Sequence, residues 1–208
     1  MTKSNSDIVF LMAHGAGADK DSDWMLEMDR LISLRGVEVI RFNFPYMIKR
    51  VEDGKRRPPD RQPHLIADFE QKIAQISPDK KLVIGGKSMG GRMASLLATS
   101  SEHANRIFAV ICMGFPFHPP GKPDRFRGEH LESIEIPTLI LQGERDTFGT
   151  RNEINEWKLA EAVKVCFLPD GDHSFKPRVK SGRTLADNMQ TAAHAVEDFL
   201  KELDSQSL

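Results

Sequence analysis

What this chain lacks narrows it before any motif is read. No apolar run approaches the ~18 residues that a membrane-crossing helix needs, so no span and no membrane partner are expected. The stretch Met1 to Asp7 is polar and leads straight into a short apolar segment, without the longer apolar stretch of a secretory signal. Neither sign of charge is in excess. Lys and Arg number 29 against 30 Asp and Glu, a formal net charge of -1, so bulk electrostatics predict no nucleic-acid partner. Cysteine is scarce as well, with Cys112 and Cys166 each inside an apolar run, Phe108 to Met113 and Val163 to Leu168. That setting predicts buried free thiols in a reducing compartment, and hence a cytoplasmic location. Repeats and low-complexity tracts are missing. So is a phosphate-binding loop, despite Gly86-Lys87-Ser88, because the Gly-x-x-x-x-Gly-Lys-Ser pattern needs glycine where this chain has Lys81.

What is present is a soluble-type composition, 39% hydrophobic and 28% charged, over 208 residues, which fits one domain spanning 1–208. Short apolar runs alternate with helical patterns. Strands are predicted at Ile8 to Ala13, Val37 to Phe42, Leu82 to Gly85, Ile107 to Met113, Thr138 to Gln142 and Val163 to Leu168. Helices are predicted from about Asp21 to Leu34, stopped by Gly36, and at Pro63 to Ile76, Met89 to Thr99, Asn152 to Ala160 and Leu185 to Leu203. The stretch Asn43 to Gln62, with Pro45, Pro58 and Pro59, and the stretch Gly114 to Glu135 read as long loops. Alternation of this kind implies right-handed crossovers and a parallel sheet with helices on both faces, with ligands beyond the carboxyl ends of the strands.

The chemistry centres on Gly86-x-Ser88-x-Gly90. An apolar strand breaks at glycine and restarts as a helix, which is the pattern of a nucleophile elbow, a strained turn that exposes a serine hydroxyl. A hydroxyl attacks only when a base takes its proton and an acid orients that base. In this class the order along the chain is Ser, acid, His. Asp146 lies just past the fifth strand and His173 in the loop after the sixth, so they are the candidate acid and base. Glu144 is the alternative acid, whereas Asp170 and Asp172 read as turn formers. A Ser-Lys pair using Lys87 is a second alternative; otherwise Lys87 is expected to pair with an acid or with solvent. Of the other histidines, His64, His103, His130 and His194 read as structural.

An oxyanion also needs donors. His14-Gly15-Ala16-Gly17 follows the first strand, and its Ala16 amide is the favoured first donor, with Gly15 or Gly17 as alternatives. Met89, next to the nucleophile and at a helix start, supplies the second. His14 reads as a brace for this loop.

These motifs together, His14-Gly15-x-Gly17, Gly86-x-Ser88-x-Gly90-Gly91, Gly143-x-x-Asp146 and Gly171-Asp172-His173, resemble the α/β-hydrolase superfamily in its small, lidless, dienelactone-hydrolase-like form. The resemblance runs over nearly the whole chain. It implies a single-domain, mostly parallel six-stranded sheet in the order 2-1-3-4-5-6, a Ser-Asp-His triad, and no cofactor or metal. Gly54-Lys55-Arg56-Arg57-Pro58-Pro59-Asp60 and the elbow also look like a poorly characterised subgroup of hydrolase-like proteins. Two departures stand out: the usual first two antiparallel strands are absent, and the insertion between strands is too short for a lipase-type lid. Dienelactone hydrolases proper use cysteine where this chain has Ser88, so their activity is not carried over.

For specificity, Lys49, Arg50, Lys55, Arg56, Arg57 and Arg61 outnumber Glu52, Asp53 and Asp60 in the loop after the second strand. If this loop overhangs Ser88, Arg56 and Arg57 would attract an anionic acyl substrate; a solvated flexible loop is the alternative. Tyr46, Phe115, Pro116, Phe117, His118, His14 and Gly15 are the remaining candidates for lining the site; ordinary loop packing is the equal alternative for Tyr46, Phe115, Pro116 and Phe117, and a turn role beside Pro119 and Pro120 for His118. The expected activity is hydrolysis of a small-molecule ester or thioester through an acyl-enzyme. The rival is a non-catalytic hydrolase-like module that binds a partner through its basic or proline-rich loop. Composition says nothing of oligomeric state.

Overall fold

Six apolar segments become strands β1 (Ile8–Ala13), β2 (Glu38–Phe42), β3 (Lys81–Lys87), β4 (Ile107–Met113), β5 (Thr138–Gly143) and β6 (Val163–Leu168). In the computed structural model, which describes residues 7–100 and 104–206, they form one sheet in the order β2-β1-β3-β4-β5-β6. Every neighbouring pair is parallel, as the alternating pattern requires. The register sets Ala13 beside both Phe42 and Gly86, Lys87 beside Met113, and Gly143 beside Leu168. The loops that carry Gly15, Ser88, Asp146 and His173 therefore leave from one edge.

The strands are apolar throughout because both faces of the sheet are covered. Phe10, Met12, Val83, Ile111 and Leu141 face α1 (Asp23–Ser33) and α6 (Leu185–Gln206), meeting Met28, Leu31, Ile32, Ala192 and Val196. Leu11, Ile84, Val110 and Ile140 face the other way, onto Met47 of α2 (Pro45–Asp53), Phe69 of α3 (Gln62–Ile73), and Met93 and Leu97 of α4 (Met89–Ser100). Neighbouring strand residues thus serve opposite layers, the two-residue period of a strand.

The segment 43–62 is not a structureless loop. Pro45 occupies the first turn of α2, where its missing N–H costs nothing and its fixed φ suits a helix. Gly54, at φ 70°, closes the helix in the left-handed conformation that glycine tolerates. Tyr46 and Met47 are buried by this helix against the sheet layer. The helix expected at Asn152 to Ala160 is shorter, α5 (Arg151–Glu156), opened by a capping box in which Thr150 and Glu153 exchange hydrogen bonds and ended by extended Trp157. The loop after β4 holds a 3-10 turn at Glu129–Glu132, where His130 Nε2 lies 2.8 Å from Ser95 Oγ. Cys112 is buried and Cys166 only half-buried, because β6 is the edge strand; both are free thiols. The structural reading of His103 falls outside the described residues. Among the described residues no helix is long and apolar enough to cross a membrane.

Candidate active site

The bend at Ser88 is strained and sterically crowded. Ser88 has φ 49°, a left-handed value that an L side chain rarely adopts. Its amide donates to the Met113 carbonyl at 2.9 Å, and its own carbonyl accepts from the Arg92 amide at 3.0 Å, so the turn passes directly into α4. Gly86 has φ 147°, and a Cβ there would stand 2.0 Å from the Ala13 carbonyl oxygen; at Gly90 the same oxygen would be 2.6 Å away. Only glycine lets α4 and β1 approach this closely.

The candidate acid and base come together through an equally tight contact. A Cβ on Gly143 would lie 2.3 Å from the Asp172 carbonyl oxygen, so the loops after β5 and β6 touch because this position is glycine. Asp146 is fully buried. Its Oδ2 is 2.8 Å from His173 Nδ1 and accepts from Gln142 Nε2 at 2.9 Å, while Oδ1 accepts from the Phe148 amide at 2.9 Å. His173 Nε2 lies 2.9 Å from Ser88 Oγ. Since an ionised carboxylate only accepts, Nδ1 carries the proton, and Nε2 is left to receive one from the serine. The Phe148 ring lies over the imidazole, with centroids 4.2 Å apart. Glu144 is occupied elsewhere: it accepts from the Asp170 amide at 2.8 Å and pairs with Arg151 at 2.7 Å, and these contacts lower its pKa. Asp170 is held down to about 2 by the Arg178 guanidinium, and Asp172 caps its own turn through the Ser174 and Lys176 amides, as turn formers do.

The loop after β1 passes beside the serine. A Cβ on Gly15 would be 3.7 Å from Ser88 Cβ. Buried His14 receives the Phe44 amide on Nε2 at 3.2 Å, so its proton sits on Nδ1, which donates to the Gly15 carbonyl at 2.6 Å. Burial lowers its pKa and keeps the ring neutral, consistent with a brace. Tyr46 adds a second brace, its hydroxyl donating to the Ala16 carbonyl at 3.2 Å; burial raises the phenol pKa.

Ser88 opens onto a cleft of about 360 Å³ walled by Gly15, Ala16, Gly17, Ala18, Ser22, Trp24, Met25, Lys87, Phe148, His173 and Ser174. A family model for the alpha/beta hydrolase domain matches residues 6–201. The chain belongs to the α/β-hydrolase domain family. Solved structures agree in fold at low identity. Est1E from Butyrivibrio proteoclasticus, with ferulic acid bound, is 14% identical with a TM-score of 0.71, over 99% of this chain and 93% of that one. A lidless α/β serine hydrolase from Xanthomonas campestris is 19% identical with a TM-score of 0.66, over 93% and 83%. Dienelactone hydrolase from Anabaena variabilis is 19% identical with a TM-score of 0.65, over 91% and 85%.

In this α/β hydrolase several sequence-predicted wall residues lie away from the cleft. Phe115 and Phe117 are fully buried in the layer under the sheet, packed on each other, with Phe117 also against Phe126 and Trp157, because the loop after β4 folds back over the core. His118 is buried against Trp157 and lies 3.3 Å from Glu153. Arg57 turns back on Asp53, one turn earlier, and lowers that carboxyl to about 2; with Tyr46, Lys49, Arg61 and His64 it lines a separate depression. Arg56 lines neither, whereas Arg50 borders a further depression that shares Gly17, Ala18 and Ser22 with the Ser88 cleft.

Conversely, Trp24 and Phe148 wall the cleft and Gln142 holds Asp146, although sequence reasoning singled out none of them. Gln142 was the findable one: an amide closing an otherwise apolar strand needs buried partners. It has them, donating to Asp146 and to the Phe115 and Gly149 carbonyls and accepting from the Phe115 amide at 2.8 Å. Among the described residues no group of three or more His, Cys, Asp or Glu side chains is arranged to hold a metal ion.

Proposed function

We propose that this α/β hydrolase is a single-domain serine hydrolase that cleaves a small ester or thioester through an acyl-enzyme. The observation that carries the reading is the continuous chain from Ser88 Oγ through His173 to Asp146, with links of 2.9 and 2.8 Å. Ser88 attacks the acyl carbon as His173 Nε2 takes its proton, and Asp146 stabilises the resulting imidazolium. The negative oxygen of the tetrahedral intermediate is received by the amides of Ala16 and Met89, the latter at the start of α4 where the helix dipole favours negative charge. His173 then protonates the leaving group. Water, deprotonated by the same ring, releases the acid and restores the serine. Trp24, Met25, Ala18 and Phe148 make the cleft suited to an apolar group of modest size. The free thiols of Cys112 and Cys166 fit a reducing, cytoplasmic setting.

The test is turnover of p-nitrophenyl acetate together with labelling by a fluorophosphonate. Ser88→Ala is expected to lower kcat by about 10⁴-fold or more, because triad members act as a unit, and to abolish the adduct. Turnover near the wild-type level in Ser88→Ala would overturn the assignment. A folded wild-type chain that takes no adduct would favour a partner-binding module instead.

A further inference from the structure

β3 ends on Lys87, directly before the nucleophile, yet this side chain serves the base side of the site. Lys87 Nζ donates a hydrogen bond to the backbone carbonyl of His173. The rings of Trp24, from α1, and Phe175, from the loop after β6, stand 5.1 and 5.5 Å from the same nitrogen, the distance of a cation-π contact. Trp24 is fastened in turn, its Nε1 donating to the Ser174 carbonyl at 3.0 Å. Two successive carbonyls of the histidine loop are therefore held by side chains from distant elements. The space is cut to fit: a Cβ on Gly114, at φ 67°, would come within 2.8 Å of both Lys87 Nζ and the His173 carbonyl oxygen.

We propose that Lys87 is a positioning residue for His173: its caged ammonium holds the His173 carbonyl and so sets where the imidazole stands between Ser88 and Asp146. The role rests on the triad reading above. An ammonium is a costly way to fill such a cage. Burial lowers the Lys87 pKa to about 8, against the pull of the Asp146 and Asp172 carboxylates. Methionine would fill the same space without that cost, so packing alone gives no reason for lysine. A donor to the His173 carbonyl does. The loop between β6 and the 3-10 turn at Val179–Ser181 has no regular ladder to fix it, and Phe175, two residues after the histidine, takes φ 72°. Placement of this ring matters, since a displacement of about 1 Å at a reacting group costs about 10²-fold in rate.

The experiment compares wild type, K87M and K87R for kcat and KM on p-nitrophenyl acetate. It also follows the low-field proton resonance of His173 Nδ1–H, identified by its loss in H173Q. K87M is expected to lower kcat by about 10- to 100-fold with KM changed less than about twofold, and to shift or broaden that resonance. K87R, which keeps a charged donor, is expected to recover part of kcat and to restore the resonance toward its wild-type position. A K87M protein with kcat within about twofold of wild type and an unmoved resonance overturns the proposal. If K87M does not fold, W24F keeps a ring in the cage but removes the donor to Ser174. It should move the same resonance with a smaller loss of kcat, and an unmoved resonance in W24F counts against the proposal. Wild-type protein with neither turnover nor fluorophosphonate adduct would overturn the triad reading, whereas the resonance in K87M would still decide whether Lys87 holds the imidazole.

Discussion

The segment leaving β6 and the segment leaving β2 start from the same edge of the sheet, yet only the first reaches Ser88. The β6 loop is pinned from several sides: glycine at 143 admits its backbone, Asp146 takes the His173 ring, and Lys87 and Trp24 hold consecutive carbonyls. The segment after β2 is pinned at its root, where the Phe44 amide meets His14 and the Tyr46 hydroxyl meets Ala16. Beyond that it coils into α2, and its charges answer one another, as Arg57 does Asp53. The contrast teaches that a loop's charge does not say where it points; buried backbone contacts do. It also divides the basic segment in two. Its root braces the loop that carries the proposed oxyanion donor, and its charged tip faces a different depression.

Four variants grade this contrast. Asp146→Asn sits where both sheet-end loops meet and should cost most, lowering kcat by about 10³- to 10⁴-fold through the wrong imidazole tautomer while the fold survives. A loss under about tenfold would mean that His173 is oriented by something else. Next, Gln142→Leu leaves the buried Phe115 amide without its acceptor and Asp146 with one donor fewer. It should destabilise the protein by about 1–3 kcal/mol in a denaturant titration, with kcat down about tenfold. Unchanged stability would show the amide network to be dispensable. At the root of the β2 segment, Tyr46→Phe removes one neutral hydrogen bond to Ala16, and kcat/KM should fall about threefold. The smallest effect is expected at the tip. Arg56→Gln with Arg57→Gln should leave kcat/KM for anionic and neutral esters within about twofold of wild type, since exposed charges act weakly at a distance. A selective rise in KM for anionic esters would place the tip over Ser88 after all and dissolve the contrast.

Much of the architecture was legible because it is local. Continuous apolar runs such as Ile8 to Ala13 can only be strands buried on both faces in this setting, and the α6 stripe from Met189 to Leu203 repeats at helical spacing. The elbow was legible because close backbone approach at residues 86 and 90 demands glycine, and that demand appears as Gly-x-Ser-x-Gly. Other features were harder to read. α2 was masked by Pro45, which breaks a helix interior but starts a helix well, although Gly54 was a visible stop. Phe115 and Phe117 looked like cleft walls because loops usually lie on the surface; burial of this loop under Phe126 and Trp157 is a long-range event. Trp24, which belongs to none of the motifs, became a cleft wall only when α1 was laid beside the β6 loop.

By itself the sequence determined the alternation of strand and helix, the turn that bears Ser88, and the order in which serine, carboxylate and imidazole occur. These follow from periodicity, glycine sterics and residue chemistry, which need only near neighbours. The tertiary structure alone decided that Asp146 rather than Glu144 faces His173, that the basic tip turns away from Ser88, and that Lys87 reaches the histidine loop rather than an acid. Each of these depends on which way a side chain leaves the sheet edge, and that direction is set by packing between residues tens of positions apart.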